Sequence, residues 1–191
     1  MTATGQPIVE ELVQRGLLTS LVQGFLLTFG VIVAFLTLIF WLRYRTLTLG
    51  AVVMAPVLPA QTWLFGTMSL AGIAFMPETT IIAAIEIGVD YAIHIGERFL
   101  EEQRGSDHIA SLRRTVRGTG GALLASAATT AAGFGVLVLA FVPSLQRFGF
   151  VTSVAIGYAF LASILVLPSL LAVWALSTGY VGTDADSDTT A

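Results

Sequence analysis

Glu86, Asp90, His94 and Glu97 follow one another at steps of four, four and three residues, the spacing that places side chains on one stripe of an α-helix. The residues around them are apolar, reading Ile85-Glu86-Ile87-Gly88-Val89-Asp90-Tyr91-Ala92-Ile93-His94 within a stretch long enough to span a membrane. A carboxylate held at mid-bilayer depth costs about 2.5–3.5 kcal/mol even on lenient insertion scales, so such groups are used or internally paired. The chemistry open to these residue types is proton or ion transfer. Asp90 is the expected centre of a proton relay, and Glu86, one turn before it, is a further candidate member. Tyr91 adds a hydroxyl on the adjacent face, and His94, one turn nearer the membrane edge, is placed to pass a proton on. Plainer readings stand beside these: Glu86 as a neutral carboxylic acid bonded to a Thr or a carbonyl, and His94 as a solvated interfacial histidine. Glu97, with Arg98, Glu101 and Glu102, marks the membrane edge.

The elements that position this stripe follow from composition. Of 191 residues, 55% are apolar and 11% charged, and the mean hydropathy is +0.86. That leaves too little polar surface for a soluble globule. Charge-poor stretches sufficient for a roughly 30 Å hydrocarbon core, about 20 helical residues, occur at 21–42, 47–70, 79–97, 119–142 and 148–176. The expected fold class is therefore an all-α membrane protein of five transmembrane helices plus a cytoplasmic amphipathic helix over 98–117. In that helix Ile109, Leu112 and Val116 oppose Arg113, Arg114 and Arg117, a pattern suited to an anionic lipid surface. Pro56 and Pro59 predict a kink in the second span, Pro168 a local kink in the fifth, and Pro143 a tight connection between the last two. Residues 1–20 read as an external amphipathic lead-in and 177–191 as a disordered acidic tail. The lead-in shows no signal peptide, and the chain reads as a piece of something larger.

All nine basic residues are arginine. Arg43 and Arg45 follow the first span, and Arg98, Arg104, Arg113, Arg114 and Arg117 follow the third, whereas the opposite side holds only Arg15 and Arg147. The expected orientation puts the arginine-rich loops and the carboxyl terminus in the cytoplasm and the amino terminus outside, in the cell membrane.

The fourth span supplies the expected surroundings of Asp90. Gly121, Ala125, Ala128, Ala132 and Gly135 form a small-residue face that lets helices approach, and Ser126, Thr129 and Thr130 add hydroxyls at mid-depth. Thr130 is the hydroxyl assigned to the relay; the plainer reading is a bond to its own preceding-turn carbonyl. Gly88 is expected to let another helix come close to Asp90. Phe148, Phe150, Tyr158 and Phe160 read as packing or lipid-facing aromatics.

Several function classes are excluded or disfavoured. Without cysteine there is neither a disulfide nor a thiolate site, and two histidines do not make a protein-only zinc site; no metal or other cofactor is expected. No basic patch suits nucleic acid. Neither Gly-x-Ser-x-Gly nor His-Glu-x-x-His occurs, so no enzyme is expected.

Gly88-Val89-Asp90-Tyr91-Ala92-Ile93-His94, the following Arg98 and Glu101-Glu102, Ser126-Ala127-Ala128-Thr129-Thr130-Ala131-Ala132-Gly133-Phe134, Phe148-Gly149 and Leu167-Pro168-Ser169-Leu170-Leu171 occur in this order. In order and spacing they resemble the carboxyl-terminal membrane half of resistance-nodulation-division (RND) transporters, nearest the MMPL-like exporters, over about residues 5–176. The resemblance implies proton-motive-force-driven export of lipids or other hydrophobic or amphiphilic molecules. It also implies an Asp-Tyr pair in each of two pseudo-symmetric halves, of which Asp90 and Tyr91 match one. The implied partners are membrane lipids, the substrate, and a complementary half supplied by a second polypeptide or a second copy; a truncated fragment is the remaining alternative. The same five-helix block also resembles the sterol-sensing domain, which implies a lipid-binding or regulatory module without transport of its own.

Overall fold

The computed structural model describes residues 6–73, 77–102 and 108–178. Every element among them is helical, as an apolar chain requires: in hydrocarbon only a helix satisfies its backbone within one segment. Helix α1 (Gln6–Tyr44) has 39 residues, about 58 Å at 1.5 Å per residue, nearly twice the hydrocarbon thickness. From Gln6 onward the lead-in and the first span are thus one continuous helix, its single proline, Pro7, standing in the first turn, where no ladder bond is lost. It stops at Arg45, whose left-handed φ of 57° turns its N–H back to the Trp41 carbonyl at 3.0 Å.

The second span is divided into α2 (Leu49–Met54) and α3 (Val57–Leu70). Pro56 and Pro59 have no N–H to give, and the ladder tightens around them: Ala55 donates to Val52 and Leu58 to Ala55, each at 3.2 Å and three residues back. Gly72, at φ 63°, closes α3, with the Ile73 N–H on the Met68 carbonyl at 3.0 Å. Helix α4 (Pro77–Glu102) follows, then α5 (His108–Gly135). A 3-10 turn, Val136–Leu139, and extended Val142 lead into α6 (Pro143–Leu161), which starts on its proline. The irregularity expected at Pro168 is a π turn over Ala162–Val166, just ahead of α7 (Leu167–Thr178). Widening the turn before the proline removes the clash of its ring with the carbonyl four residues back.

Of the residues expected in a surface helix, 98–102 form the last turn of α4 and 108–117 the first turns of α5, which runs on through Gly118 to Gly135. Glu102 holds the two helices together: its carbonyl accepts from the Ser111 hydroxyl at 2.9 Å and from Arg114 at 3.1 Å, and its carboxylate accepts from Arg114 Nε at 3.2 Å.

Four stretches of the described residues are long and apolar enough to cross a membrane: Leu26–Tyr44, Leu49–Leu70, Ala110–Leu139 and Pro143–Thr178. Helix α4, with 26 residues, has the length of a fifth. It is the hub of the bundle, packed against α1, α2, α3, α5, α6 and α7. Its Ala92, Ile95 and Phe99 are wholly buried in a core completed by Phe40, Leu49, Val53, Ile156, Leu167 and Leu171. The closest backbone approach on α4 is at Gly96, where a Cβ would lie 2.8 Å from Val53 Cγ2. At Gly88, the glycine singled out from the sequence, a Cβ would make ordinary contact with Ala159 at 3.5 Å.

Candidate functional site

Asp90 and Tyr91 are neighbours in sequence and lie on different faces of α4. The Tyr91 side chain turns into the core, 2% exposed, with its ring edge-on to Phe160 at 6.2 Å and its hydroxyl hydrogen-bonded to Ser126 on α5. The Asp90 side chain is 67% exposed. Successive helical residues are 100° apart, so a helix with neighbours on most sides still presents one uncovered stripe. On α4 that stripe carries Asp90, His94, Arg98 and Glu101, with Glu97 half-buried beside it.

Along the stripe, His94 Nε2 lies 3.5 Å from Asp90 Oδ1, slightly beyond a good hydrogen bond and within reach of a small side-chain rotation. One turn on, Arg43 of α1 pairs with Glu97 at 3.7 Å. Arg98 bridges Glu101 at 3.2 Å and Glu102 at 2.7 Å. Glu97, Arg98, Glu101 and Glu102 are thus all paired, with Arg43 of α1 and Arg114 of α5 among their partners, the pattern of a membrane edge. Asp90 lies seven residues, about 10 Å along the axis, inside that edge, and an aspartate is too short to reach back to it.

Helix α5 supplies the wall beside the stripe. Its Leu112, Leu123 and Ala127 face the bundle, whereas Gly121, Ala125, Ala128 and Ala132 are exposed. Cβ atoms added at Gly121 or Gly133 would meet nothing within 4 Å. Of the small-residue face read from the sequence, Gly135 meets Ser153 of α6, where a Cβ would lie 3.5 Å from its hydroxyl, and the other four positions are exposed. The Thr130 hydroxyl donates to the Ser126 carbonyl at 2.9 Å, and Thr129 to the Ala125 carbonyl, both one turn back along their own helix. The structure thus brings Asp90 and His94 together, links Tyr91 to Ser126, and engages Thr130 locally. The Glu86 side chain lies outside the described residues.

Two polar links escaped the sequence reading. The Tyr158 and Thr67 hydroxyls share a hydrogen bond of 2.7 Å between α6 and α3, and the Trp174 indole donates to the Thr48 hydroxyl at 2.7 Å. Neither pair is close in sequence, and a lone Tyr or Trp in a span reads equally as an interfacial anchor.

This arrangement can carry a proton along the exposed side of α4, with Tyr91 fixing the rotation of the helix from the buried side. Comparison with known proteins agrees with the motif order. The chain is 32% identical over 174 residues to a protein of Methanocaldococcus jannaschii considered a membrane protein, a match covering 90% of this chain and 44% of that relative. The chain thus spans less than half the length of that relative. No solved structure matches it. Residues 17–181 match the MMPL family, and with Asp90-Tyr91 on the hub helix of an all-helical bundle, the chain belongs to that family.

Proposed function

We propose that this chain acts as one half of a proton-coupled, RND-like membrane transporter, with Asp90 as the proton-carrying group. The observation that carries the reading is the exposure of Asp90 about 10 Å inside the Arg43–Glu97 membrane edge. Lipid is a costly neighbour for that carboxylate; a second half, from another polypeptide or another copy, is a cheap one. The exposed small residues of α5 suit such a surface because they let a facing helix come within backbone contact. Across that interface Asp90 meets a polar group of the opposing half, and His94 carries the proton toward the arginine-rich end, which is cytoplasmic under the positive-inside rule. Tyr91 holds the register through Ser126. Loss and gain of the Asp90 charge alters the packing of α4, and that change is the coupling to movement of a lipid or other hydrophobic or amphiphilic substrate through the cell membrane.

The test is flux through the assembled complex under an imposed pH gradient, with wild-type chain, Asp90→Asn and Tyr91→Phe. Asp90→Asn is expected to remove the dependence on the gradient. Retention of gradient-driven flux by Asp90→Asn would overturn the proposal, and a chain that purifies alone with lipid and carries no flux would favour the sterol-sensing-like module instead.

A further inference from the structure

A crevice of about 370 Å³ opens between α2 and α7. Ala51, Val52 and Ala55 form one wall and Leu170, Val173 and Trp174 the other. Its shape has a local cause. Helix α7 is pinned to the start of α2 by the bond from Trp174 to Thr48, while beyond the Ala55–Pro56 break α3 packs on α6 instead. Ala51 and Ala55, one turn apart, leave the gap unfilled. Because the Trp174 N–H is engaged by Thr48, the indole offers the crevice its apolar surface.

The mouth of the crevice has a different chemistry. It lies at the arginine-rich end, where Ser177 closes α7 and exposed Trp41 marks an interfacial level. The Arg45 guanidinium stands 5.8 Å over the Trp41 ring, and among the described residues no carboxylate lies within ion-pair distance of it, unlike Arg43, Arg98 and Arg114. Arg45 is three residues from Thr48, a separation of at most about 11 Å, and Thr48 holds the Trp174 that lines the crevice, so the cation is within reach of a headgroup at the crevice end. An apolar slot in the hydrocarbon layer with a free cation at its headgroup end is complementary to a molecule with an acyl chain and a phosphate.

We propose that this crevice is a binding site for one anionic phospholipid, its acyl chain between α2 and α7 and its phosphate on Arg45. The site is independent of the Asp90 relay. The test uses the full chain in mixed phosphatidylglycerol and phosphatidylcholine nanodiscs, with native mass spectrometry of the lipid retained on extraction. Wild type is expected to retain phosphatidylglycerol preferentially, and Arg45→Gln to lower that preference about fivefold, the scale of one basic residue at an anionic surface. Val173→Trp, at a position already exposed and therefore safe for folding, is expected to fill the slot and reduce retention of both lipids. Wild-type retention in both variants would overturn the proposal, and would leave a protein segment as the occupant. An equal loss in Arg113→Gln, which lies away from the crevice on α5, would also overturn it by showing diffuse attraction instead of a site.

Discussion

Helix α4 divides the molecule into two regions that treat its side chains oppositely. On one side the spans built from α2–α3 and from α6–α7 close around it, with 50% and 39% of their most apolar windows buried. On the other, α1 and α5 flank the Asp90 stripe and bury 11% each. The closed side is specified by close fits: Gly96 against Val53, Gly149 against the 3-10 turn, Tyr158 on Thr67. The open side has exposed alanines and glycines, a carboxylate and an imidazole. The difference teaches that a polar stripe within a span is not made tolerable by its own bundle here. Among the described residues it stays uncovered.

The sharpest way to break this comparison is Asp90→Asn. On an open stripe it is expected to reduce gradient-driven flux of the assembled transporter to background, while the chain's own stability changes by no more than about 0.5 kcal/mol. A large loss of melting temperature in detergent would show that Asp90 is a packing residue after all. Next comes a matched pair of glycine substitutions. A Cβ at Gly149 would sit 2.6 Å from both Leu137 Cβ and the Phe134 carbonyl oxygen, so Gly149→Val is expected to destabilise the fold by about 1–3 kcal/mol or more. Gly133→Leu, in open space, is expected to leave the isolated chain as stable as wild type, or up to about 1 kcal/mol more stable. It should nevertheless lower association measured by native mass, because it fills the surface offered to a partner.

Smaller effects refine the picture. Tyr91→Phe removes the hydroxyl bonded to Ser126 and is expected to cost about 0.5–1.5 kcal/mol in thermal melting, with flux lowered less than by Asp90→Asn. Arg43→Gln breaks a 3.7 Å pair between exposed Arg43 and partly exposed Glu97. It is expected to cost about 0–1 kcal/mol, with the small effect vanishing in high salt.

Much of this was legible in the residues. The stripe through Asp90, His94 and Glu97 follows from helical periodicity, and the break at Pro56 and the tight entry at Pro143 follow from the missing proline N–H. Two features depend on more than a local pattern. Which glycine a neighbour presses on depends on where that neighbour crosses, and whether a polar stretch forms its own helix depends on what grips its ends, here Ser111 and Arg114 on Glu102.

By itself the sequence determined that this is a helical membrane bundle, which residues share a helix face, and where proline interrupts the ladder, because these depend on hydropathy, a fixed helical pitch and covalent chemistry. Only the tertiary structure decided which face of each helix is covered: that Tyr91 is enclosed and Asp90 is not, that α5 leaves its small residues bare, and that Trp174 and Thr48 prop open a crevice below Arg45. Those outcomes depend on the relative placement of helices distant in the chain, set by the summed packing of all of them, and no local pattern of residues carries that sum.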